Sequence, residues 1–240
     1  VARRRFFVCI AILMLVAVAL GFGKSFYLRP VFNSKPLPGY LLLHGITMTA
    51  WFLLFLAQSM LVSARRVDLH RKLGVAGLFL AAGVVVTGVV VNLNVIPRML
   101  EIGQISRAKE GVEFALSSIS GLFPFAVLVL LAVALRRNTG VHKRLMFWSF
   151  VWVLGPAFTN TRPLGQFLDP LVAPYLPFFP ADFIWLLGLA IYDWKTERRI
   201  HPATYVTFAL LLCFFLFATP WITGSETLQG WLLAYVESHQ

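Results

Sequence analysis

The sequence predicts an all-α integral membrane bundle of seven transmembrane helices, a leading helix followed by three hairpins. Three observations predict it. Of 240 residues, 59% are hydrophobic and only 13% are charged, where a water-soluble domain carries about 25% charged residues. Apolar runs recur along the chain at lengths near the roughly 20 residues that cross a bilayer as a helix. Lys and Arg gather in short segments between alternate runs, as membrane topology requires.

Taken in order, the runs predict helices over 6–22, 40–62, 73–95, 119–135, 145–160, 181–194 and 205–222. The first begins with three arginines at 3–5, and with Ala17, Val18 and Ala19 it resembles a secretory signal peptide. The apolar run continues past that triplet to Phe22 without a polar region, so a retained first helix is expected; cleavage would leave six. Between the third and fourth runs, 98–118 reads as an amphipathic interfacial helix. Between the fifth and sixth, Pro163, Pro170, Pro174, Pro177 and Pro180 exclude a continuous helix. The 161–180 segment is therefore expected to cap the bundle mouth. Pro156 should kink the fifth helix. The tail, 226–240, reads as a surface helix with Trp231 and Tyr235 at headgroup level. The whole chain, 1–240, forms a single transmembrane domain.

Fourteen of the 21 Lys and Arg fall on one side of the predicted membrane, in the N-terminal arm and three short turns; seven fall on the other. Basic residues in short loops mark the cytoplasmic side. The expectation is a bacterial inner-membrane protein with its N-terminus cytoplasmic and its C-terminus periplasmic. This placement also accounts for the net charge of +11 without nucleic acid as a partner. Membrane lipids are the expected partners, with a membrane-complex partner or a homo-oligomer left open. Cys9 and Cys213 lie far apart inside apolar runs and lack CxxC spacing, so core packing is expected of both.

Each basic turn carries a histidine just before the next helix, at His70, His142 and His201, which makes a weak internal repeat. His44-Gly45, Trp51, Gln58, Arg66, His70-Arg71 and Leu73-Gly74 set a pattern. It continues in His142-Lys143-Arg144-Leu145-Met146, Tyr192-Asp193 and His201-Pro202. Over most of its length the chain resembles a family of uncharacterised bacterial polytopic membrane proteins. That resemblance implies a fold and no activity. A more distant likeness, by histidine and helix count, is to the haem-binding cytochromes b.

Two constellations are candidates for chemistry. On the inner side, His70, His142 and His201 lie at one depth, and two of them can hold haem b, which needs two histidines on facing helices. The competing readings are interfacial side chains among headgroups and a lipid-phosphate site on a polybasic rim. The outer side offers His44 without a second histidine, so a two-haem wire is not expected. His239 sits in the tail.

The outer constellation is His44, Asn92, Asn94, Thr159, Asn160, Arg162 and Asp182. Ionisable groups in a membrane usually face the bundle interior and have partners. Arg162 and Asp182 flank the proline-rich segment, and a pair between them is expected, either simply pinning the cap or lining a pocket. His44, Trp51 and Gln58 are seven apart and share one face of the second helix. The leading functional expectation is an outer-side polar pocket formed by His44, Asn160, Arg162 and Asp182, binding a small molecule, quinone or lipid. The alternatives are a b-type haem electron-transfer protein and a non-catalytic subunit or assembly factor of a membrane complex. Asp193, beside Lys195, reads as an interfacial salt bridge. No phosphate loop, HExxH or GxSxG is found.

Overall fold

The computed structural model describes residues 2–32, 35–103, 105–160 and 180–238. Among these the chain is helical, with no strand. The principal helices are α1 (Ala2–Phe22), α2 (Gly39–Ser63), α3 (Val67–Leu93), α4 (Val112–Ala134), α5 (Thr139–Trp152), α6 (Pro180–Glu197), α7 (Pro202–Cys213) and α8 (Glu226–Glu237). A π-helical turn, Gly23–Tyr27, extends α1. Another, Phe214–Ala218, joins α7 to a last turn at Thr219–Thr223.

Five helices among the described residues are long and apolar enough to cross a membrane: Arg5–Tyr27, Gly39–Ser63, Val67–Leu93, Val112–Ala134 and Pro202–Thr223. Five is fewer than the seven expected. The fifth predicted run is divided, because α5 ends at Trp152 and a separate turn begins at Gly155. Pro156 lies at the start of that turn, where its missing N–H costs least, so the expected kink is a break. The interfacial segment is likewise not one helix. Val95–Glu101 and a 3-10 turn at Ala108–Gly111 precede α4, which starts seven residues earlier than expected.

Packing explains why α5 is short and rich in polar groups yet sits at the centre. Arg144, Leu145, Phe147, Trp148, Ser149, Phe150 and Val151 are all buried, so the helix meets protein on every side. Phe150 stacks on Trp51 at 4.6 Å and on Phe55 at 4.2 Å, while Trp148 packs on Phe208 of α7. The outer helices present exposed leucine, valine and phenylalanine, including Leu53, Phe79 and Leu130, as lipid contact requires. Cys9 and Cys213 are exposed too. Core packing is therefore not their role; they belong to the apolar outer surface. A methyl group on Gly21 would overlap the backbone of Ala157, so only glycine lets α1 approach that turn.

At the end opposite the basic turns, α8 folds back. Leu232 and Val236 are fully buried against Ile96, Val112, Ala115 and Leu116. The polar start of α8 is capped by Ser225, whose side chain accepts from Leu228 N–H. Trp231 stays exposed and stacks on Tyr235.

Candidate functional site

The basic turns place two histidines in equivalent registers. His70 is the fourth residue of α3 and His142 the fourth of α5. Both sit inside the helices rather than just ahead of them. Their ring centres are 6.3 Å apart and their planes 85° apart. His142 is oriented by the end of its neighbour. Arg136 N–H turns to the Val133 carbonyl as α4 terminates, and His142 Nδ1 lies 2.8 Å from the Ala132 carbonyl. A carbonyl only accepts, so Nδ1 carries the proton and the Nε2 lone pair is available for a ligand. His70 Nδ1 is buried without a hydrogen-bond partner.

His201 does not join them. It stands one position ahead of α7 as its N-cap, with Pro202 following. Its Nδ1 accepts from Ala203 N–H at 3.1 Å. Burial, then the charge of Arg144, holds its imidazole below the ordinary histidine range, against the opposing pull of Glu197 and Asp193. A neutral ring accepting at Nδ1 keeps its proton on Nε2, the nitrogen a metal would need. Of the three candidate haem ligands, the structure brings together His70 and His142 and gives His201 another task.

Next to this pair lies a polar network that the sequence reading missed. Arg144 and Asp193 are both fully buried. Arg144 Nε donates to the two Asp193 oxygens at 3.1 and 3.3 Å, and its Nη2 forms a short ion pair with the same carboxylate. Nη2 also reaches Glu197 at 2.7 Å, and Nη1 donates to the Gly140 carbonyl at 2.7 Å. Asp193 additionally accepts from His201 N–H at 3.1 Å and from the Thr204 hydroxyl. Lys143 donates to the Tyr192 hydroxyl at 3.1 Å and lies 3.8 Å from Glu197. The network joins α5, α6 and the start of α7. Burial works to raise the Glu197 carboxyl, but the hydrogen bond and charge of Arg144, with Lys143, hold it below the usual carboxylate range. Asp193 was expected to pair at the interface beside Lys195; its partner is Arg144, within the protein. Arg144 is read as one of four basic residues in a turn because sequence alone does not tell a buried arginine from its exposed neighbours.

At the opposite end, His44 is half-buried, and its Nδ1 lies 3.0 Å from the Thr87 hydroxyl. Thr87 itself donates to the Gly83 carbonyl at 2.8 Å, so it accepts from His44. Asn92 and Asn94 bond back to Gly88 and Val90 on their own helix. Arg162 lies outside the described residues, as do the side chains of Thr159, Asn160 and Asp182, the proline-rich cap and His239. The expected pair between Arg162 and Asp182 therefore falls outside them too. A groove of about 360 Å³ between α2 and α3 is lined by apolar residues including Leu54, Ala57, Leu73 and Gly77, which does not suit a polar ligand.

Compared with protein-family models, with curated proteins and with solved structures, the chain matches none.

Proposed function

We propose that this chain is a multi-pass inner-membrane protein that binds b-type haem at its cytoplasmic end, with His70 and His142 as the axial ligands. The observation that carries the reading is the separation and orientation of the two rings. Two imidazoles on one iron have ring centres about 6 Å apart, because each iron–nitrogen bond is about 2 Å and each nitrogen lies about 1 Å from its ring centre. The rings of His70 and His142 are 6.3 Å apart. The bond from His142 Nδ1 to a backbone carbonyl is the kind of outer contact that fixes a metal-bound histidine's tautomer and ring orientation.

Charge supports the same end. Haem carries two propionates, which need cations or water. Arg65, Arg66, Arg71, Lys72 and Arg137 surround the two turns, and none has a carboxylate within 4 Å among the described residues. The clasp of Arg144 with Asp193 begins two residues after His142 and anchors the start of α5, which holds that ligand in place. When bound, haem supplies one-electron transfer. The outer-pocket reading has less behind it, because His44 is already bonded to Thr87.

The orientation belongs to the same proposal. The twofold excess of Lys and Arg in the N-terminal arm and the basic turns together favours placing them in the cytoplasm. Seven crossings, with α5 and α6 as two central ones, put the C-terminus in the periplasm. A reporter fused after Gln240 should then be active only outside, and cytoplasmic activity would overturn the odd count.

Ligation is tested by absorption spectra of purified variants from haem-replete cells. His70→Ala and His142→Ala should each abolish or strongly shift the Soret band, while His44→Ala and His201→Ala keep it. A Soret band that survives in the first two and is lost in either of the others would overturn the assignment.

A further inference from the structure

We propose that the groove between α2 and α3 holds one acyl chain of an anionic phospholipid, whose headgroup sits on Arg65 and Arg66. This site does not rest on the haem reading, which keeps Arg71, Lys72 and Arg137 for the propionates. The groove, of about 360 Å³, is lined by alanine, leucine and glycine alone. At its floor the two helices touch, since a Cβ on Gly77 would lie 2.9 Å from Leu54 Cδ2. Above that floor Ala50, Ala57 and Ala76 leave a trough that larger side chains would fill. Leu53 and Ala76 are exposed, so the trough opens toward lipid.

A basic turn stands at one end of this trough. Ala50, Leu54, Ala57 and Leu61 recur at helical spacing on one face of α2, and the chain reverses just beyond Leu61. Two backbone bonds close the turn, Arg65 N–H to the Val62 carbonyl at 3.1 Å and Arg66 N–H to the Leu61 carbonyl at 2.8 Å. In this kind of helix ending one residue is left-handed, a place glycine usually fills. Here it is Arg65, with φ 61°. Arg65 and Arg66 are both exposed, and neither has a carboxylate within 4 Å among the described residues. Along α3, the groove residues Leu73 and Leu80 lie about 10 and about 21 Å from Arg66 at about 1.5 Å per residue. Half the hydrocarbon core is about 15 Å deep and the headgroup layer adds about 5–7 Å. The groove therefore occupies the depth of an acyl chain whose phosphate lies at the turn. Unpaired arginines there favour a net negative headgroup over a zwitterionic one. A second helix is a poorer occupant. Close helix approach needs small residues along the contact, and Ile46, one turn past Ala50, is large and exposed.

The test is native mass spectrometry of the full-length protein in mild detergent, titrated with phosphatidylglycerol or with phosphatidylcholine of the same chains. Wild type should bind one phosphatidylglycerol about 30-fold more tightly than phosphatidylcholine, the share of two arginines. Arg65→Gly with Arg66→Gln removes both charges and leaves the turn intact, because glycine takes a left-handed φ without strain. In that variant the two lipids should bind within about threefold of each other. Ala57→Leu with Ala76→Leu fills the trough and keeps the arginines, and should weaken phosphatidylglycerol binding about tenfold. If that pair does not fold, Ala76→Leu alone, at an exposed position, carries the same expectation. Equal binding of the two lipids by wild type would overturn the proposal. So would undiminished phosphatidylglycerol binding in a folded, trough-filled variant, since the arginines would then attract lipid without the groove. A dimer in wild type that the filled variants lose would give the groove to a second copy of the chain and overturn it as well.

Discussion

The two ends of the bundle use their polar residues in different ways. At the basic end, Arg144, Asp193, Glu197 and Thr204 come from three helices and satisfy one another across them. At the far end, Asn92 and Asn94 bond to carbonyls of their own helix, and the described contacts that cross helices are single hydrogen bonds, His44 with Thr87, Tyr27 with Thr49 and Trp152 with the Gly121 carbonyl. A polar group bonded across helices fixes where those helices sit. One bonded within its own turn fixes only itself. The basic end, where bonds from two other elements converge on the one carboxylate of Asp193, is therefore the more firmly fixed of the two, and it is where the two facing histidines lie.

The largest expected effect breaks that contrast directly. Arg144→Ala leaves Asp193 buried without its cation, and Asp193→Ala leaves the buried Arg144 with only the partly exposed Glu197. Loss of one partner of a buried pair costs roughly 3–5 kcal/mol. Each variant should lower Tm in detergent sharply. The double variant Arg144→Met with Asp193→Leu should recover much of the loss, because no unpaired charge remains. If Arg144→Ala were no worse than a substitution at Asn92, the two ends would not differ as argued.

Much of this fold was legible in the sequence, and the reasons for the rest are physical. Apolar length revealed the helices that face lipid, because lipid contact demands a continuous apolar surface. It found α5 but misplaced both of its ends, because the neighbours of that helix are protein. There Arg144 pairs with Asp193, Ser149 donates to the Met146 carbonyl and Trp148 Nε1 donates to the Thr204 carbonyl, and hydropathy no longer reports position. The three histidines look equivalent in sequence because each follows basic residues. They differ by where the next helix begins, four residues into α3 and α5 for His70 and His142, and one residue before α7 for His201. Pro202 at N1 makes His201 a cap, and that signal was readable. The pairing of Arg144 with Asp193 was not, since it joins residues 49 apart in sequence.

A second effect tests the far end. Thr87→Val removes the hydroxyl that accepts from His44. An unpaired buried donor costs about 1–3 kcal/mol. Tm should fall by less than for Arg144→Ala. No change would mean that His44 has another partner, and the far end would hold more structure than described.

Acid should loosen the basic end by a smaller amount. His201 is held neutral in the folded state, its imidazole below the ordinary range. The unfolded chain then binds a proton that the folded chain does not, so stability falls as pH drops below about 6.5. Glu197 is depressed as well. Its contribution is present above the ordinary carboxylate range and is lost as pH falls through its lowered value. Tm measured from pH 7 downward should decline first through His201 and then through Glu197. His201→Asn retains a capping side chain without the titration and should remove the first part of the decline. The smallest effect is Asn92→Ala, expected within about 0.5 kcal/mol of wild type, since its bond lies within one helix.

The central claim is that His70 and His142 face each other as a ligand pair with their rings nearly perpendicular. Low-temperature electron paramagnetic resonance of the oxidised, haem-loaded protein reads both features at once. Two histidines with planes 85° apart predict a low-spin signal of strong anisotropy, dominated by a single large g value. An ordinary rhombic low-spin signal would contradict the ring orientation, and a high-spin signal or none at all would contradict the pair.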